Sequence, residues 1–368
     1  AMKNKRFTKP NPQVLEMMSL MLDKNTAISV KDWAFAVISL LKLDPSFKAH
    51  LKKIVDTNSK LSIEEKIDGL SETPVFIKLM MKSPILDVEL EQALKAIRAE
   101  LLHTATDTQP SRGVLSFLAA LADQCFHNEY VYGHTSTESD ELEGLERQVE
   151  NQLSAGDQPS AMSIFILASY APLHTYVWSN MLSVTSDIGE VLEKQIFEIN
   201  RELELKGGIR SLDDGPDLVS SKVRAMYEEN PYPRWLDTGL VVGRKPSLEV
   251  FKGLSLKFDD RAPVNFNSPE ILVAGCGTGR HSIVTSSRFE DCTVLGVDLS
   301  LSSLAYAKRK SKELQIDNLE YLRADILDLS KLDRQFDLVE CSGVLHHMKD
   351  PLAGWRTLTD CLKPGGLM

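Results

Sequence analysis

At 368 residues the chain is long for a single core, so two or three domains are expected. Its 43% hydrophobic and 26% charged residues are those of an ordinary soluble protein, and no apolar run approaches the roughly 20 residues that span a bilayer. A net charge of -10 argues against a general nucleic-acid coat, and five widely spread cysteines offer neither a disulfide framework nor metal-ligand spacing, so a reducing cytoplasm is the expected setting.

The first two hundred residues read as helix after helix. Leu90, Ala93, Leu94, Ile97 and Leu101 recur at the helical period with charges between them. Ser62 and Glu65 form a capping-box signature ahead of Ile67. Further helices are drawn near 13–22, 30–42, 46–56, 112–127, 140–153, 160–170 and 186–205. Alternating strand patterns are scarce and no fixed internal period appears. The expectation is an all-helical N-terminal domain over residues 1–210, shaping the acceptor site or docking a partner protein.

Gly207-Gly208 and the run from Asp213 to Asp217 punctuate the chain and mark the boundary to a second domain, 211–368. A helix from Val219 to Glu229 is expected ahead of Asn230-Pro-Tyr-Pro-Arg-Trp235, whose two prolines exclude a helix. After Pro269, strands at 270–274, 292–298, 319–324 and 336–341 alternate with helices near 279–288, 301–314 and 351–362. The end of the chain reads as a turn leading into a fifth strand. Such alternation implies a parallel sheet with right-handed crossovers.

The strand Ile271 to Ala274 runs straight into Gly275-Cys-Gly-Thr-Gly279, a turn through which a backbone can approach a ligand closely. A dinucleotide fingerprint places its third glycine at position 280, where this chain has Arg280, and its helix must receive a pyrophosphate. S-adenosylmethionine carries no phosphate and suits Gly-x-Gly-x-Gly better. Asp298 ends the second strand about twenty residues on, where ribose hydroxyls lie. Asp325 ends the third strand, placed to accept from an adenine amino group, although it could instead cap a short helix. The fourth strand opens into Cys341-Ser-Gly-Val-Leu-His-His-Met348 at the carboxyl edge of the sheet.

On these residues, 270–368 resembles class I S-adenosylmethionine-dependent methyltransferases, with Ala-Gly-Cys-Gly-Thr-Gly as the first motif. More narrowly the chain looks like bacterial methyltransferases often associated with tetratricopeptide repeats, though no such repeat is evident here. The resemblance implies an α/β fold, a Rossmann-like class I sheet lacking its last strands, preceded by an all-α domain. A seven-strand sheet would continue past Met368, so a C-terminal truncation is expected. The implied cofactor is S-adenosyl-L-methionine. Its site would draw on Ala274, Gly275, Gly277, Thr278 and Gly279 for the methionine portion, Asp298 and Leu299 for the ribose, and Asp325, Ile326 and Ser342 around the adenine and sulfonium. Arg234 is a candidate partner of the cofactor carboxylate. His346, at the pocket rim, and Tyr232, closing the pocket, are the candidate bases; His347 is expected in packing. The plainer reading of 230–235 is a rigid connection anchored by a buried Trp235. No metal is expected, and the methyl acceptor, a small molecule or a protein, is unread. An alternative is a non-catalytic S-adenosylmethionine-binding protein.

Overall fold

The computed structural model describes residues 5–23, 29–56, 61–104, 110–212, 228, 231, 234–236, 243–253 and 266–368. The expected helix over 219–229 lies outside these residues except for Glu228, and Tyr232 lies outside them too. The chain divides into two compact units, Ala1–Ile199 and Asn200–Met368.

The first unit holds helices α1 (Pro12–Asp23), α2 (Ala34–Leu41), α3 (Pro45–Val55), α4 (Ile63–Ser71), α5 (Pro74–Lys82), α6 (Val88–His103), α7 (Arg112–His127), α8 (Ser136–Ser154), α9 (Ala161–Tyr170) and α10 (Gly189–Leu192). Its described residues contain no strand. Local chemistry starts most of these helices. The side chains of Asp44, Ser62, Asp87, Ser111, Thr135 and Ser160 each accept a bond from the backbone N–H three residues on. At Ser62 the box closes in both directions, with the Ser62 amide donating to Glu65 Oε2 at 2.8 Å. The periodic residues of α6, Leu90 through Leu101, are all buried in one core that runs from Met18 to Ile196. α10 continues through a π turn, Glu193–Phe197, into α11 (Glu198–Lys206). α5 is not announced by the sequence because Pro74 resembles a breaker, yet it stands at the first helical turn, where its missing N–H costs nothing.

The second unit is built on a six-stranded, all-parallel sheet. Its strands are β1 (Arg210–Ser211), β2 (Glu270–Ala274), β3 (Thr293–Asp298), β4 (Leu319–Arg323), β5 (Phe336–Cys341) and β6 (Leu362–Leu367), in the order β1-β4-β3-β2-β5-β6. Helices α12 (Ser247–Gly253), α13 (Arg280–Ser286), α14 (Leu301–Glu313) and α15 (Pro351–Asp360) accompany it. Alternation along β2 explains its continuous apolar run. Ile271 and Val273 join one core with Val294 and Leu304, whereas Leu272 and Ala274 join a second with Val297 and Leu358. β6 is an edge strand, which tolerates Pro364. It begins at Leu362 without the expected turn. The expected boundary at 210/211 falls inside β1, a strand too short to read from sequence.

The chain leaves β2 toward β3 and β4 on one side, then crosses to β5 and β6 on the other. That reversal sits between β2 and β5. At such a switch point the loops diverge and leave a crevice at the carboxyl edge.

Candidate cofactor site

Gly275, Gly277 and Gly279 all take positive φ, at 69°, 53° and 83°. Side chains rarely adopt that region, which is why glycine recurs at alternate positions. The turn is fixed by backbone: the amides of Gly275 and Cys276 both donate to Val297 O, at 2.8 and 2.9 Å, and Gly279 N donates to Cys276 O. Space is equally limiting. A Cβ on Gly275 would lie 2.2 Å from Cγ2 of Val344, beyond β5, and one on Gly279 would lie 2.4 Å from Cβ of Ala307 on α14.

Asp298 joins this turn to the next loop. Its Oδ2 accepts from Gly277 N at 2.8 Å and its Oδ1 from Ser300 N at 3.0 Å. Burial pushes its carboxyl above the usual range, more than the donated bonds from Ser300 and Gly277 lower it. Ala274 and Thr278 are buried, and Leu299 is half-buried. Ala324 N donates to Asp298 O, which sets the end of β4 beside the same loop. Asp325 is buried and accepts from Leu327 N at 3.0 Å, capping a short 3-10 turn that opens with the buried Ile326. Ser342 and Gly343 are exposed at the end of β5. The structure thus brings the residues after β2, β3, β4 and β5 to one sheet edge.

His346 and His347 are both exposed in a 3-10 turn, their rings 3.9 Å apart at 43°. His347 is not packed away as expected. Successive residues of a tight turn diverge at Cβ, but the imidazoles are long enough to meet. Arg234 stands 3.7 Å from Glu202 Oε2 and over the ring of Tyr306. Trp235 is buried; its Nε1 donates to Thr278 O at 2.9 Å and its backbone exchanges bonds with the Tyr306 hydroxyl.

A further cluster has no signature in the sequence. Glu340, at the end of β5, accepts from Thr285 Oγ1 at 2.5 Å and pairs with His281 Nε2 at 2.9 Å, with Arg288 at 3.9 Å. Burial would raise its carboxyl, but the bonds from His281 and Thr285 prevail and hold it below the usual range. His281 and Thr285 are one turn apart on α13 and Arg288 follows just past its end, whereas Glu340 reaches them only through the pairing of β5 with β2.

The fit of a cofactor turns on Asp298. A carboxylate on Gly277 N sets negative charge against the amide that a pyrophosphate would need. A cationic ligand is favoured instead. S-adenosylmethionine, with its ammonium and sulfonium, fits such an edge. Residues 271–366 match the family described as "Methyltransferase domain". The matched segment covers the glycine turn and the loops that follow β3, β4 and β5.

An uncharacterized protein of Synechococcus sp. is 31% identical over 160 residues, covering 42% of this chain and 37% of the relative. The ubiquinone biosynthesis O-methyltransferase of Coxiella burnetii (strain Dugway 5J108-111) is 29% identical over 124 residues, 34% of this chain and 51% of the relative. Among solved structures, an S-adenosylmethionine-dependent methyltransferase from Clostridium acetobutylicum is 26% identical with a TM-score of 0.24, covering 26% of this chain and 39% of that one. The chain spans about half, or less, of the length of these curated relatives.

Proposed function

We propose that the second unit binds S-adenosyl-L-methionine across the carboxyl edge of its sheet and serves a methyltransferase. The Asp298 carboxylate on Gly277 N carries this reading, because it joins the ribose position to the glycine turn and repels phosphate there. Bound in this way, the cofactor supplies a methyl group already activated on a sulfonium. The chain's own task is then alignment at about 3–3.5 Å and exclusion of water.

Ala274, Gly275, Gly277, Thr278 and Gly279 hold the methionine portion. Asp298 and Leu299 hold the ribose. Asp325 and Ile326 flank the adenine, and Ser342 flanks the sulfonium. Arg234, whose guanidinium lies 3.7 Å from Glu202 Oε2, is assigned to the cofactor carboxylate. A base is necessary only for an acceptor protonated at working pH. His346, exposed beyond β5, and Tyr232 are the candidates. The helical unit, residues 1–210 in its widest bounds, recruits the acceptor or a partner protein.

Thermal unfolding with S-adenosylmethionine, S-adenosylhomocysteine and NAD tests the cofactor, with Asp298→Ala as control. A ligand at 100 times its Kd adds about 2.7 kcal/mol. A shift with both adenosyl ligands, absent with NAD and lost in the control, is the expected result. A shift with NAD alone would sink the reading.

A further inference from the structure

The segment 228–236 precedes the methyltransferase match, yet its described side chains bond to both cofactor turns. Consider first the helix that follows Asp298. Four successive amides open it, and each has a defined acceptor. Ser300 N donates to Asp298 and Ser303 N to Ser300 Oγ. Between them, Leu301 N donates to Glu228 Oε1 at 2.6 Å and Ser302 N to Glu228 Oε2 at 3.2 Å. The same carboxylate accepts from Ser302 Oγ at 2.8 Å, and Lys206 Nζ approaches it at 3.8 Å while bonding Ser302 Oγ. A carboxylate is the group a helix N-terminus favours. Here it comes from outside the helix, more than seventy residues earlier in the chain.

Trp235 acts on the other turn. Its indole donates to Thr278 O, one peptide before Gly279, and its ring packs with Ile283 of α13 and edge-on to Tyr306 of α14. The peptide between Thr278 and Gly279 is therefore held at both ends, its carbonyl by Trp235 and its N–H by Cys276 O. A free peptide there could flip and carry Gly277 away from Asp298.

We propose that Glu228 and Trp235 are positioning residues for the adenosyl cofactor: Glu228 fixes the loop that carries Asp298, and Trp235 fixes the glycine turn. This rests on the cofactor reading above. It makes the matched segment insufficient alone, since the binding geometry of two of its loops is set by residues ahead of it. A mere structural anchor would bond to core elements. The Trp235 indole N–H and the Glu228 carboxylate also bond to the backbone of the ligand-facing turns.

Titration calorimetry of the full chain with S-adenosylhomocysteine tests it, at a temperature well below each variant's Tm so that all are equally folded. Trp235→Phe keeps a ring against Tyr306 and removes the indole donor together with part of the ring's buried area. Glu228→Gln keeps the length but turns one acceptor into a donor facing an amide. Lys363→Met, which breaks the pairs with Glu270 and Asp337 at the amino edge of the sheet, serves as control. A lost bond of this kind corresponds to about tenfold in Kd. Kd should rise by that factor in the first two variants and stay unchanged in the control, whatever the three Tm values do. Lower Tm with unchanged Kd in Trp235→Phe and Glu228→Gln would overturn the positioning role and leave the cofactor reading standing. A wild-type chain that binds no S-adenosylhomocysteine would overturn both. Should one variant not fold, the other decides.

Discussion

A single methyl group measures how closely the glycine turn is fitted. Gly275→Ala meets two independent obstacles: a φ of 69° and a contact of 2.2 Å with Val344. The backbone cost alone is about 1–2 kcal/mol. We therefore expect Gly275→Ala to lower Tm and abolish the ligand-induced shift. Adding Val344→Ala should return part of the stability, because it removes the steric half of the penalty and leaves the backbone half. If the double variant is no more stable than Gly275→Ala, the clash is not what the glycine avoids. The alternation of Gly275, Gly277 and Gly279 is legible in the sequence because a turn needs it locally. That Val344 presses on the first of them is not, since the two lie far apart in the chain. The same separation hides Glu340 from His281.

At the level of elements, the sequence is legible where a cap or a period announces an element, and silent where the fold itself makes it. Helices α3, α4, α6, α7, α8 and α9 begin at Ser, Thr or Asp because those side chains satisfy amides that no preceding turn can reach. β1 has two residues and exists only because β4 offers an edge to it. The π turn at 193–197 is likewise imposed from outside: Gln195, fully buried, accepts from Leu173 N at 3.1 Å. A second capping box, Thr135 with Glu138, has the same regular spacing as the first, and the fold adds to it a bond from Tyr170 at 2.8 Å. Thr135→Ala should cost about 1 kcal/mol in urea unfolding. Glu138→Ala should cost more, because it also leaves the Tyr170 hydroxyl buried without its acceptor. Equal costs would show that the bond to Tyr170 contributes nothing beyond the cap.

For the whole molecule, a charge of -10 says little about stability; the few carboxylates that the fold withdraws from water decide its pH dependence. Asp123, on α7, is fully buried, and its ammonium partner is Lys194 in the π turn. Burial raises its pKa from 3.8 to about 6, opposed by Lys194 and assisted by the Glu190 and Glu198 carboxylates. The folded chain therefore keeps a proton that the unfolded chain releases between those two values. With more protons bound in the folded state, stability falls as pH rises through that window. A shift of that size corresponds to about 3 kcal/mol across the window. Glu340 has the opposite sign, since its lowered pKa gives stability that is present above 4.5 and lost as pH falls. A bare pH profile would mix the two, so the difference between wild type and Asp123→Asn is the quantity to measure. Urea unfolding at steps from about pH 4 to pH 7 should show wild type losing stability relative to Asp123→Asn as pH rises, with the change complete a little above pH 6. A difference that is flat across that range, or that runs the other way, would mean that Lys194 holds Asp123 ionised in the fold and that burial does not prevail.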